Sequence, residues 1–353
     1  MPYSDLPPHA FWRLCRDDSQ FRVSDIYRPK FRLSPGMKVA TAGSCFAQNI
    51  GTYVRTSRLR LVDTEPAPKG MAPETAARFG FGLFSARYGN VYTARQLRQL
   101  LQDAWSGSVH DSAIWQRDGR FFDGLRPNTE PEGLGSAAEV RTHRLEHLRR
   151  VRQVFDETDV FIFTLGLTEA WVDRRTEVVF PTAPGVAAGT FDPQVHAFAN
   201  FGMAETFEDL AASLDILRAA KPALKVILTV SPVPLTATAS GDHVLAATTY
   251  SKSVLRAVAG EMAALDASVD YFPSYEIITG APFAGRFFKD NLRHVTRDGV
   301  DTAMSVFFAA QDGLSQGACR VMQPVPSISP GIEAAGDDEE ICEEAMLEAF
   351  GAT

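Results

Sequence analysis

Short apolar runs, separated by stretches with helical periodicity, are the feature of this sequence that most constrains its fold. Lys38-Val-Ala-Thr-Ala-Gly, Asp159-Val-Phe-Ile-Phe-Thr-Leu, Lys225-Val-Ile-Leu-Thr-Val and Val269-Asp-Tyr-Phe-Pro are apolar and rich in β-branched or aromatic residues. After the first run, Phe46, Ile50 and Val54 recur at helical spacing, and helical patterns lie near Arg144 to Asp156, Ala204 to Ala220 and Thr249 to Leu265. A weaker strand, Arg60-Leu-Val-Asp, follows the first helix. Strands that alternate with helices pair in parallel and bury both faces of their sheet. The spacing therefore predicts an α/β fold, a three-layer α/β/α sandwich with a mainly parallel sheet.

Length and composition agree. The 353 residues are 45% hydrophobic, enough for a large core without disulfides or metals. Residues 1–36, with Pro7, Pro8, Pro29 and several aromatics, suit an irregular arm packed on a domain spanning 37–318. Residues 64–123, apart from a helix near Thr93 to Trp105, and 180–200 read as long loop-like insertions. Residues 319–353 read as a Pro-rich linker and an acidic tail.

The net charge of -8 is confined to that tail, which carries eight acidic residues and no Lys or Arg from Gly331 onward. Setting those aside leaves 35 acids against 35 bases, so no nucleic-acid surface is indicated. A solvated tail or a docking peptide for a protein partner would both fit. Cys15, Cys45, Cys319 and Cys342 lack the paired spacing of zinc or redox motifs, and no cofactor or metal is expected. With no signal-like N-terminus and no run near the roughly 18 apolar residues that span a bilayer, a cytoplasmic protein without a membrane span is expected.

Ligands of parallel sheets bind beyond the carboxyl ends of the strands. Thr41-Ala-Gly-Ser-Cys-Phe-Ala lies at such an edge, with Gly43 allowing an unusual turn and Ser44 where a helix begins. Unpaired helix amides there would face an oxyanion formed beside the Ser44 hydroxyl. Ser44 could also simply cap the helix. The adjacent Cys45 is a second possible nucleophile or a buried structural thiol.

The string Gly43-Ser-Cys-Phe-Ala resembles the signature of the GSCFA family, a group similar to the SGNH or GDSL hydrolases. The resemblance extends through Tyr88-Gly-Asn-Val-Tyr-Thr, Phe163-Thr-Leu-Gly-Leu-Thr-Glu-Ala-Trp, Leu228-Thr-Val-Ser-Pro-Val-Pro and Tyr271-Phe-Pro-Ser-Tyr-Glu-Ile. It implies a flavodoxin-like sheet, Ser44 as nucleophile, and esterase or acyltransferase activity, with an O-acetyl ester of a glycan or related small molecule as substrate. SGNH enzymes complete an oxyanion hole from later blocks. Gly166-Leu-Thr-Glu stands where Gly-x-Asn-Asp is expected, so Thr168 replaces the asparagine. Asn90 could supply the amide instead, with the N–H groups of Ser44 and Gly89, or could be a turn residue.

Glu169 and Trp171 lie at the same edge, as sugar contacts or as a solvated and a structural residue. The basic run from Arg141 to Arg152 could bind an anion or be a solvated helix face. For the base, SGNH enzymes use Asp-x-x-His after the last strand, which places His294 there. The acid position is Asn291, with Asp290 one residue earlier, and His243 and His196 in loop-like segments are alternatives. Three functions follow: a serine acyl-transfer enzyme, a non-catalytic carbohydrate-binding or scaffold protein, or a platform for a tail-recruited partner.

Overall fold

A computed structural model describes residues 1–16, 21–311 and 314. The strands are β1 (Lys38–Gly43), β2 (Arg60–Leu61), β3 (Ile114–Arg117), β4 (Arg120–Asp123), β5 (Val160–Leu165), β6 (Glu169–Asp173), β7 (Val179–Phe180), β8 (His196–Asn200), β9 (Lys225–Val230) and β10 (Val269–Tyr271). The helices are α1 (Phe46–Arg55), α2 (Pro73–Arg78), α3 (Ala94–Ser106), α4 (Ala137–Glu157), α5 (Met203–Ala220), α6 (Val244–Leu265), α7 (Ser274–Thr279) and α8 (Arg297–Ala310).

Five strands form a parallel sheet in the order β10-β9-β5-β1-β2. Numbered among themselves along the chain, these are 2-1-3-4-5, the flavodoxin-like doubly wound order. Strand alternation explains the layers. Phe161, Phe163 and Leu165 of β5 face a core made with α3, α4, α5 and α6, whereas Val160 and Ile162 face one made with α1, α7 and α8. Both faces of β5 are covered, and all six of its residues are buried. The topology puts the carboxyl ends of β1, β5 and β9 side by side.

Residues 1–36 hold three short 3₁₀ turns, Pro8–Ala10, Trp12–Arg16 and Val23–Ile26. Tyr27 is buried against Phe272 and Phe307, and its hydroxyl and the Lys30 N–H both reach the Asp270 carboxylate at 2.9 Å. The acidic tail, Cys319 and Cys342 lie outside the described residues.

Three expectations are corrected. Residues 64–123 hold α2 and an antiparallel hairpin of β3 and β4, and residues 180–200 contain β8, which pairs with β6 while β7 flanks its other side. The hairpin is a two-stranded sheet of its own, and β7, β6 and β8 form a three-stranded one. Its strands escape a periodicity reading because β8 alternates Ala197 and Ala199 with larger residues and takes its conformation from pairing, not propensity. Helix α4 starts seven residues before Arg144, where the Ser136 hydroxyl accepts the Glu139 N–H, and α6 starts at Val244 after a His243 cap.

Candidate active site

Strand β1 ends at Gly43, whose φ of 139° is closed to L side chains. A Cβ there would also collide with the Thr164 backbone of β5. The chain thus runs flat against β5 and then turns into α1. Ser44 sits in that turn, 2% exposed. Its N–H donates to the Thr164 carbonyl at 3.1 Å and its carbonyl accepts from Ala47 N–H at 2.8 Å. Its hydroxyl has no hydrogen-bond partner. The N-cap of α1 is Cys45, with no side-chain cap bond. The capping alternative for Ser44 therefore does not hold, and its N–H, expected as an oxyanion donor, is spent on the sheet. Cys45 is buried in an apolar cluster with Tyr92 and Val233.

The segment carrying Gly89 and Asn90 lies beside this turn, since the Val91 N–H donates to the Gly43 carbonyl at 2.9 Å. Gly89 has a φ of 68°, and its N–H makes no hydrogen bond to the described residues. Asn90 is buried, and its Oδ1 accepts from Gln48 Nε2 on α1 at 3.4 Å. Gly166 forms the opposite wall. A Cβ on it would lie 2.9 Å from Ser44 Cβ and 3.2 Å from the Tyr92 carbonyl. The N–H groups of Gly166 and Leu167 both go to that carbonyl, at 2.9 and 3.0 Å, so Gly166 is a spacer and offers no free N–H.

Thr168 donates its hydroxyl to Asn200 Oδ1 at 2.7 Å and its N–H to Ser251 Oγ at 3.0 Å. The residue in the place of the missing asparagine thus holds another asparagine, which the sequence does not reveal because Ala197 and Ala199 give β8 no strand signature. Glu169 accepts from the Thr238 hydroxyl at 2.7 Å, and burial lifts its carboxyl above the ordinary range. Trp171 meets Phe191 and Phe198 edge to face at 5.1 and 5.8 Å.

The loop after α7 brings the histidine. Phe288 and Val295 bridge, and Lys289 N–H donates to the His294 carbonyl at 2.8 Å. Val295 packs on the cluster containing Cys45, Tyr92 and Leu167, so the chain neighbours of His294, Ser44 and Gly166 meet there. Asp290 is exposed and touches no hydrogen-bonding partner among the described residues. Asn291 does touch the ring, but not through its oxygen. Oδ1 accepts the N–H groups of Arg293 and His294 at 3.1 and 3.0 Å, and Nδ2 faces His294 Nδ1 at 2.6 Å. Arg293 Nη1 faces Nε2 at 3.3 Å. An amide nitrogen and a guanidinium only donate, so two donors compete for the one acceptor of a neutral imidazole. His196, on strand β8 rather than in a loop, accepts the Asp192 N–H at Nδ1, and His243 accepts the Leu245 N–H at Nδ1.

A buried polar network supports the Asn90 segment from behind. Glu65 Oε2 holds the Arg87 N–H and His147 Nδ1 at 2.7 Å each, while Arg126 Nη1 holds the Arg87 carbonyl at 3.1 Å. Arg144, Asp123 and Asp103 extend the network, and Tyr88 sets its ring against His147. Burial, with the Arg126 charge next, depresses His147 from 6.5 to about 4 despite the opposing pull of Glu65. Burial would raise Glu65, but His147 and Arg126 bring it from 4.5 to about 2. Both folded values are depressed, so both contributions are present at neutral pH and are lost on acidification. The His147 contribution falls away from pH 6.5 toward 4, by on the order of 3 kcal/mol, and the Glu65 contribution from 4.5 toward 2. The urea midpoint should drop between pH 7 and 5, and His147→Gln should flatten that slope. An unchanged slope in the variant would remove His147 from the account.

Among the described residues no group of three or more His, Cys, Asp or Glu could hold a metal, and no helix is long and apolar enough to cross a membrane. The model of the GSCFA family matches residues 38–307. Two solved structures are similar at low identity. One is an acetyl esterase mutant with acetate ion, at 12% identity over 78% of this chain and 99% of that one, TM-score 0.32. The other is a carbohydrate esterase family 3 protein from Talaromyces cellulolyticus, at 14% identity over 77% and 94%, TM-score 0.29. No curated protein matches the sequence.

Proposed function

Because this chain belongs to the GSCFA family, we propose that it is a serine-dependent acyl-ester hydrolase or O-acyltransferase, with Ser44 as nucleophile and an O-acetylated carbohydrate as the substrate class. The observation that carries this reading is the Ser44 hydroxyl, buried without a partner at the carboxyl edge of the sheet. A hydroxyl that makes no hydrogen bond to the protein can turn toward a base and a substrate. Ser44 Oγ attacks the ester carbonyl as its proton passes to His294 Nε2. The Gly89 N–H and Asn90 Nδ2 receive the oxyanion. Collapse expels the sugar alkoxide, which takes the proton, and water or another sugar hydroxyl then accepts the acyl group. Trp171, Phe191 and Phe198 offer aromatic surface to the apolar face of a sugar. Labelling by a fluorophosphonate probe, mapped to Ser44 by mass spectrometry, tests the assignment.

For Nε2 to accept that proton, Nδ1 must carry its own hydrogen and find an acceptor. Asn291 meets this need only by rotating its amide, at the loss of two backbone hydrogen bonds. A carboxylate has oxygens enough for both tasks, so Asn291→Asp should speed labelling, about tenfold on the scale of general-base effects. Asn291→Ala should slow it, Asp290→Asn should leave it unchanged, and His294→Ala should reduce it by at least about 100-fold. If Asp290→Asn is the slow variant, the loop geometry assigned to Asn291 is wrong. The same donor conflict at His294 favours a second reading, a carbohydrate-binding protein without turnover. That reading requires binding of acetylated glycans with no labelling of Ser44, in the parent or in Asn291→Asp.

A further inference from the structure

We infer that Lys252 is a positioning residue for Ser44, acting through the turn at Gly166, an assignment that rests on the acyl-transfer reading. Lys252 is 1% exposed inside α6, on the helix face that also buries Ala247, Ser251 and Leu255. An ammonium is costly to bury, and an aliphatic side chain would fill this place more cheaply. Its Nζ donates to the Gly166 carbonyl at 2.6 Å. Ser251, the preceding residue, accepts the Thr168 N–H at 3.0 Å. Adjacent residues of one helix therefore take a carbonyl and an N–H from the same three-residue turn.

The other end of that turn is held by the Tyr92 carbonyl, which accepts from Gly166 and Leu167. Gly166 is consequently clamped from two sides. Its bare Cα faces Ser44 so closely that a Cβ would lie 2.9 Å from Ser44 Cβ. Movement of the turn is felt directly by the nucleophile. Lys252 also fixes the direction of the Gly166 carbonyl, and with it the orientation of the peptide that faces Ser44.

Lys252→Met retains the length of the side chain and removes the donor, while Lys252→Gln retains a shorter neutral donor. In Lys252→Met, Ser44 labelling and kcat for p-nitrophenyl acetate should fall roughly 10- to 100-fold, the scale of a small misplacement of reacting groups, with KM unchanged. Hydrogen exchange at the Leu167 and Thr168 amides should accelerate. Lys252→Gln should recover most of both. Should Lys252→Met fold poorly, Lys252→Leu, which also lacks the donor, takes its place in the comparison with Lys252→Gln. Parent-like exchange and labelling in Lys252→Met, or equal losses in the two variants, would overturn the positioning role, the latter by assigning the effect to charge. Failure of the parent to label Ser44 would defeat the acyl-transfer reading instead, and the exchange rates would still report whether Lys252 holds the turn.

Discussion

Ser44→Ala should abolish fluorophosphonate labelling and reduce turnover of acetyl esters by roughly a thousandfold or more, without loss of stability. Losing a nucleophile removes the covalent path altogether. The stability half of the expectation comes from the hydroxyl, which makes no hydrogen bond to the protein that truncation could break. Deleting an unsatisfied buried hydroxyl should leave the unfolding free energy, read from the urea midpoint, unchanged or raise it by up to about 3 kcal/mol. A capping serine would behave in the opposite way, since its loss costs about 1 kcal/mol. Labelling that survives in Ser44→Ala and disappears in Cys45→Ser would transfer the nucleophile to the thiol.

The layered fold was legible because burial on both faces leaves an unbroken apolar run. All six residues of β5 are buried, and Val160 to Leu165 is apolar in the sequence, Thr164 apart, for that reason. The turn at Gly43 and Ser44 was legible too, because a glycine before a serine at a strand end signals an unusual backbone. What the sequence did not disclose was the use of each polar atom. Nothing in Gly43-Ser-Cys-Phe-Ala tells that the Ser44 N–H goes to Thr164, and nothing in Asp290-Asn-Leu-Arg-His tells which amide atom faces the imidazole. These depend on partners brought from distant strands and on local turns. Asn200 and Lys252 were hidden for a related reason: each reaches the 166–168 turn from a distant element, β8 or α6.

The largest effect on stability is expected at Gly43. Gly43→Ala must place a Cβ within 2.7 Å of the Thr164 nitrogen and 2.8 Å of its Cβ, closer still to its carbonyl oxygen, at a φ of 139°. Backbone lines that contact, so no side chain can swing away, and β1 would have to part from β5 along a register that runs from Val39 to Gly43. A cost of about 4 kcal/mol or more is expected, a large share of a typical total of about 5–15 kcal/mol. Two comparisons separate its causes. Gly36 also has a positive φ, 84°, but open space around it, so Gly36→Ala should cost only about 1 kcal/mol of backbone strain. Gly166 is not among the positive-φ residues and meets chiefly the movable Ser44 side chain and Tyr92. Gly166→Ala should therefore cost less stability than Gly43→Ala while displacing Ser44 enough to suppress its labelling. Urea midpoints for the three variants, measured with the labelling rates of those that fold, test this ranking. If Gly43→Ala proves as mild as Gly36→Ala, β1 can yield at its carboxyl end, and the Ser44 turn cannot owe its geometry to close contact with β5.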